Sequence, residues 1–322
     1  MIVRDLTQLP KAHLHVHLES TIRWSRLREL GVPAPPKPLS FDGFRAFADY
    51  NTAIREALRH PEDFTRAAED FCADEAAQGT RYAEVSFTAA AHGERLGDLE
   101  MPLEAVLQGL ATGQSRYGIE TQVILDHSRR RSVDRARQTL RLATKYAGSG
   151  VIAIGLAGDE SHPATPFAAV CEEAKAAGLH LVHHAGETAG PASIREVLTT
   201  CHAERIGHGI RALDDPELVA ELRDRAIPLE VCPSSNVALG LAPTLAAHPV
   251  AELGAAGLAV TLNTDIPNLL GITLSAEYQR IRDTFGYTDT DLADLNHTAI
   301  DASFAPLETK AKLHRDTDAW LA

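Results

Sequence analysis

From Arg81 to Leu262 the chain alternates short apolar runs with amphipathic stretches, and no other feature limits its fold so tightly. Residues 82–87, 121–125, 151–156, 179–183, 205–207, 227–231 and 258–262 read as strands, the shortest being 205–207. Residues 103–116, 132–146, 166–177, 192–199, 216–225 and 249–256 carry helical spacing between them. Residues 11–19, Lys-Ala-His-Leu-His-Val-His-Leu-Glu, supply one more strand at the start. Eight strands separated by helices predict a parallel (β/α)8 TIM barrel rather than an open sheet. Its 322 residues suit one barrel domain spanning 1–322, with further helices after the eighth strand.

The long gap between the first and second strands predicts a helical lid insertion over about residues 20–79. Residues 21–30 read as a helix ending at Gly31, and the proline-rich stretch 32–38 breaks it. Phe41, Phe44 and Phe47, and then Phe64 and Phe71, recur at helical spacing. Such a stripe either belongs to the core or walls a pocket above the barrel.

Formal charge is −13, which argues against nucleic acid or an anionic membrane surface as a partner. Cys72, Cys171, Cys201 and Cys232 are scattered, offering neither a thiolate zinc site nor a disulfide framework, and a reducing cytoplasm is the expected setting. The N-terminal residues lack a long apolar segment, so no signal peptide is expected. Self-association is left open by the sequence.

Strand alternation predicts that His13, His15 and His17 project to one face, where neighbouring imidazoles can hold a divalent cation. Hydrogen-bonded histidines are the competing explanation, but three buried ones each need a partner. Barrel active sites lie at the C-terminal ends of the strands. The predicted strand ends carry His183, His184 and Glu187, then His208, then Asp265. Their joint placement predicts a metal centre.

The ordered segments "KAHLHVHLE", "GLAGDE", "HHAGE", "IGHG", "EVCPSSN", "LNTD" and "IDASFAPLETKAKL" resemble the adenosine/adenine deaminase family of barrel amidohydrolases, over essentially the whole chain. The resemblance implies one Zn2+ per chain held by His15, His17, His184 and Asp265, with His13 and His183 left out. It further implies hydrolytic deamination of an adenosine-like purine, with release of ammonia. Glu187 is then the proton donor to the ring, His208 the group that orients the water and stabilises developing charge, and Asp265 both ligand and catalytic partner. His17, Glu19, Gly158 and Ile266 are the substrate-side positions that the same likeness picks out.

The pattern breaks at two places. The family usually follows its metal-binding Asp with a second Asp that meets the purine N7, where this chain has Ile266. An unpaired polar edge in a dry pocket costs about 1–3 kcal/mol, so the substrate either lacks an N7 acceptor, as a 7-deazapurine does, or finds a donor elsewhere, at Thr264 or Asn268. Glu19-Ser20 also replaces the usual acid-glycine. A hydrolase of another N-heterocycle is the alternative reaction, and a non-enzymatic binding protein the alternative class, although the latter would not need an intact ligand set and acid.

Overall fold

The computed structural model describes residues 3–33 and 43–322, with side chains from residue 49 onward in the second stretch. Eight strands form one sheet in chain order: β1 (Lys11–His17), β2 (Thr80–Phe87), β3 (Glu120–Ser128), β4 (Val151–Ala157), β5 (His180–Ala185), β6 (Arg205–His208), β7 (Leu229–Val231) and β8 (Val260–Leu262). All seven neighbouring pairs are parallel. The end of β8 returns to β1 through a bridge between Val16 and Asp265, where His17 N–H donates to Asp265 O at 2.9 Å and Asp265 N–H to His15 O at 3.0 Å. The closing contact therefore runs through the predicted metal residues.

Near-continuous apolar runs become strands because helices cover the outer face and the inner face is filled by side chains. The expected helices form, with small shifts at their ends. Two others were not expected. Ala89–Leu96 precedes Met101–Tyr117 and stops at Gly97, whose φ of 77° ends the helix. Pro233–Ala238 follows β7 directly, built from the polar Pro-Ser-Ser-Asn that reads as a loop. No helix among the described residues is long and apolar enough to cross a membrane.

The insertion after β1 contains helices Trp24–Glu29, Gly43–Ala57 and Pro61–Ala77. Phe64 and Phe71 are fully buried in the main core, Phe64 meeting the Phe87 ring edge-on at 6.0 Å, so these two aromatics are packing residues. Phe41, and the side chains of Phe44 and Phe47, lie outside the described residues. Farther along the helix Gly43–Ala57, Asn51, Thr52 and Arg55 border the cleft above the strand ends.

The N-terminal mouth of the barrel is stoppered from the C-terminal segment. Ala299, Ile300, Ala305 and Leu313 pack on Ala12, Leu14 and Tyr82. Phe304 lies over the Arg205 guanidinium at 4.0 Å and stacks on His180 at 3.7 Å. Arg205 is buried inside the barrel between two carboxylates, Glu84 and Glu230, with Nε 2.7 Å from Glu230 Oε1. Glu84 also accepts from Tyr82 Oη at 3.0 Å and from Phe304 N–H at 2.6 Å. Removing the cation from such a cluster strands two buried charges. Arg205→Met should therefore lower stability by about 3–5 kcal/mol in urea unfolding, well beyond an exposed arginine substitution.

Candidate active site

The three histidines of β1 do not share a face. The β1–β2 register shifts between His13 and Val16. In that interval the N–H groups of Leu14 and His15 both donate to Asn263 Oδ1, at 2.9 and 3.1 Å. A bulge that bonds two successive donors to one acceptor interrupts the period of two. His13 turns to the outer helix Pro61–Ala77, with Nδ1 3.0 Å from Glu75 and Nε2 3.0 Å from Thr264 Oγ1. His15 and His17 turn to the barrel axis. The expectation of one shared face is thus corrected: Asn263, from the predicted "LNTD" segment, sorts the histidines.

Three overlapping triplets have ligand atoms within 4.8 Å of one another: His15, His17 and Asp265; His15, His184 and His208; and Glu187, His208 and Asp265. His17 Nε2 lies 3.2 Å from Asp265 Oδ1 and 3.2 Å from His184 Nε2. His183 is outside the cluster, its Nδ1 accepting from Leu156 N–H and its Nε2 facing Cys201 O at 3.1 Å.

The cluster fits a divalent cation. His15 Nδ1 sits 2.8 Å from Glu230 Oε2 and His17 Nδ1 3.3 Å from Asp126 Oδ2, so each carboxylate claims the δ proton and leaves Nε2 as a lone pair. His15 Nε2 is buried with no hydrogen-bond partner. His17 Nε2 and His184 Nε2 face each other at 3.2 Å, an arrangement that a cation between them would satisfy. Burial opposes charge on His15, yet Asp265 and Glu230 lift its pKa to about 9, which shows how strongly the carboxylates attract a cation. Three imidazoles and a carboxylate suit zinc, with a coordination position left for water.

Glu187 and His208 face each other across the same floor, Nε2 to Oε1 being 3.5 Å. Burial, with Asp265 and Glu160 adding, pushes the Glu187 pKa up to about 8, so the carboxyl holds its proton near neutrality. Its turn is clamped by Glu160, which accepts N–H bonds from Gly186, Glu187 and Thr188, each at 2.8 Å. Burial and the nearby His15 drive His208 down to about 3, leaving it neutral. Its tautomer follows from a chain of bonds. Val250 N–H donates to His248 Nδ1 at 3.1 Å, so His248 donates from Nε2 to Asn236 Oδ1 at 3.0 Å. Asn236 then presents Nδ2 to His208 Nδ1 at 3.3 Å, which places the His208 proton on Nε2, toward Glu187.

Backbone strain sits at the same strand ends. His208 and Asp265 have φ of 66° and 60°, the left-handed region that non-glycine residues rarely enter. Gly207 is required by packing, since a Cβ there would lie 2.9 Å from His15 Cε1. Ser235 Oγ donates to Asp265 Oδ2 at 2.5 Å and keeps Oδ1 toward the histidines.

A cleft of about 950 Å3, counting its open mouth, rises from this floor. His17, Gly158 and Ile266 line it, as does Ser20, whose buried Oγ has no partner. Glu19 does not line it. Its carboxylate accepts from Thr88 N–H and Oγ1 and faces His92 Nε2 at 3.2 Å, behind the wall. Burial raises the Glu19 pKa, but His92, the Arg55 charge and the Thr88 hydroxyl together outweigh it and hold the carboxyl down at about 2. Thr264 is taken up by His13. Asn268 is turned away, its Nδ2 donating to Ile22 O and its carbonyl accepting from Trp24 Nε1. Neither of these reaches the edge beside Ile266.

Sequence reasoning missed Asp126, Glu160, Glu230, Ser235 and Asn236. The quoted "GLAGDE" and "EVCPSSN" segments contain four of them, and the place of these segments at or just beyond strand ends is the available signal. Glu230→Gln should preserve folding but weaken zinc binding by about 10–100-fold in chelator competition, because His15 loses the partner that fixes its tautomer.

The adenosine deaminase family model matches residues 10–320. An aminodeoxyfutalosine deaminase of Streptomyces coelicolor is 36% identical, covering 98% of this chain and 86% of its own length. The crystal structure of an adenine deaminase from Arthrobacter aurescens superposes with a TM-score of 0.89 at 30% identity, over 97% of this chain and 99% of that one. An amidohydrolase from Burkholderia ambifaria, solved with bound Zn, superposes with a TM-score of 0.88 at 25% identity, covering 98% and 92%. With a family match over nearly its whole length and the barrel to go with it, this chain belongs to the adenosine deaminase family of hydrolytic deaminases.

Proposed function

We propose that the protein is a zinc-dependent aminohydrolase acting on an adenine-like ring. The observation that carries the reading is the convergence of His15, His17, His184 and Asp265 with the buried Glu187 at the floor of one cleft. His15, His17, His184 and Asp265 would hold a divalent cation, which would supply a water activated for attack near neutral pH. Asp265 accepts a proton from that water, and the new C–O bond forms at the carbon bearing the amino group. Glu187 gives its proton to the adjacent ring nitrogen, Asp265 passes the water's proton to the amino group, which leaves as ammonia, and the proton of the new hydroxyl returns to Glu187 as the C=O bond forms. His208 donates from Nε2 to the oxygen on which charge develops. Asn236 and His248 keep that donor in place, and Glu160 holds the acid's backbone.

Ile266 favours a narrower variant of the reading. It is fully buried, lines the cleft, and has neither Thr264 nor Asn268 beside it as a substitute donor. A ring with an apolar carbon at the purine 7-position gains about 25 cal/mol per Å2 of apolar surface buried there, whereas N7 gives up water's hydrogen bonds. The reading is therefore a deaminase whose preference leans to a 7-deazapurine-like edge.

Ammonia release from zinc-loaded protein should be seen with at least one 6-aminopurine or 7-deaza analogue, and its absence across that panel overturns the reading. Glu187→Gln should keep zinc and fold while turnover falls by about 10²–10⁴-fold or more. Near-native turnover would remove Glu187 from the acid role. Ile266→Asp should shift the kcat/KM ratio between a purine and its 7-deaza analogue toward the purine by about 10-fold or more, the worth of the regained hydrogen bond.

A further inference from the structure

Above the metal floor, the cleft is bordered by Arg55, from the helix Gly43–Ala57, and by Arg130, just beyond β3. Several other arginines crowd this side of the barrel, and each is occupied. Arg131 and Arg135 both pair with Glu94, Arg95 donates to the carbonyls of Arg55 and Leu58, and Arg129 donates to His162 O and His184 O. The guanidinium groups of Arg55 and Arg130 have no hydrogen bond or ion pair among the described residues.

The acidic groups bordering the same cleft are committed elsewhere. Asp126 is turned to His17, Asp265 to His15, His17 and Ser235, and Asp159 accepts from Ser161 N–H at 2.9 Å. In a chain of net charge −13, Arg55 and Arg130 bring two cations without a salt bridge among the described residues to this cleft, and their charges help hold the Glu19 and Asp159 carboxyls below the usual range. A guanidinium that borders a cleft without a salt bridge of its own can take up an anion there. A guanidinium is also the side chain suited to a carboxylate or phosphate fork.

We infer that Arg55 and Arg130 form a subsite for an anionic group, a phosphate or a carboxylate, carried by the substrate at the end remote from the ring. This rests on the deaminase reading for the placement of the ring on the metal floor. The ring's amino carbon meets the floor, Ile266 meets its edge, and the substituent runs outward between Asn51 and Ser128 to the two arginines. The preferred substrate is then a modified nucleoside or nucleotide with a negatively charged tail, not a free base.

Binding of product-side ligands tests this without requiring turnover. The zinc-loaded protein is titrated calorimetrically with hypoxanthine, inosine, inosine 5′-phosphate and the inosine analogue whose 5′ carbon is a carboxylate. At least one anionic ligand should bind about 10–100-fold more tightly than inosine, the usual worth of a charge-assisted contact. The stronger of the two identifies phosphate or carboxylate as the group recognised. Arg55→Gln and Arg130→Gln should each reduce the anion-to-inosine affinity ratio by about 10-fold. Raising salt from about 50 to about 300 mM should reduce the same ratio in the unmodified protein, a readout that does not depend on any variant folding. Equal affinity for inosine and both anions, binding of hypoxanthine alone, or a ratio unmoved by both substitutions and by salt overturns the subsite. The deaminase reading fails separately: a preserved anion ratio with no ammonia released from any aminated counterpart refutes that reaction and leaves the subsite standing.

Discussion

A buried line of charge links the base of the barrel to its chemistry. Arg205 holds Glu84 on one side and Glu230 on the other, and Glu230 in turn claims the δ proton of His15. Both carboxylates are inside the barrel, where a lone charge would be expelled or neutralised, so each depends on the guanidinium. Phe304 covers that guanidinium from below and donates its N–H to Glu84. The C-terminal segment that stoppers the barrel is thus also the far support of a ligand some distance above it. Loss of the stopper would reach the metal centre through the protonation and placement of Glu230, with no contact between the two ends.

Each reacting or ligating group has a comparable prop. Asp126 orients His17, Ser235 orients Asp265, Asn236 and His248 orient His208, and Glu160 gathers three N–H groups of the turn that carries Glu187. These props come from different strands. Two of the groups they hold, His208 and Asp265, sit in a left-handed backbone conformation that the surrounding bonds must maintain. Rigid support of this kind is what metal and acid–base chemistry need, since a ligand displaced by an ångström no longer meets its partner. By contrast the upper cleft is furnished with groups that lack a hydrogen-bond or salt-bridge partner among the described residues, Ser20 Oγ, Asn51 Oδ1 and the two guanidinium groups, as expected of surfaces that meet a ligand.

Much of the architecture was legible because it is locally encoded. Apolar strand runs and amphipathic helices repeat along the chain, and their number and order leave few topologies. The strand-end rule then gathers His184, Glu187, His208 and Asp265 from sequence alone, since a barrel presents those ends together whatever the details of its packing. The helices Ala89–Leu96 and Pro233–Ala238 escaped notice because short polar segments carry no periodic signal, and in the fold they are held by what they pack against.

The tertiary structure decided what depends on residues far apart in the chain. A period of two assigns His13, His15 and His17 to one face, but Asn263, some 250 positions away, bonds two consecutive N–H groups and turns His13 out. Glu19, beside the metal strand in sequence, is drawn behind the wall by Thr88 and His92. Thr264 and Asn268, next to Ile266 in sequence, are claimed by His13 and by the insertion after β1. Arg55 and Arg130 come from separate elements and border one cleft only because the barrel brings both to its mouth. Sequence by itself determined the barrel and pointed to the candidate ligands and acid, because periodicity and strand-end placement are short-range properties. Which side chains reach the cleft, and which are left unpaired there, is a competition for hydrogen-bond partners that only the folded chain resolves.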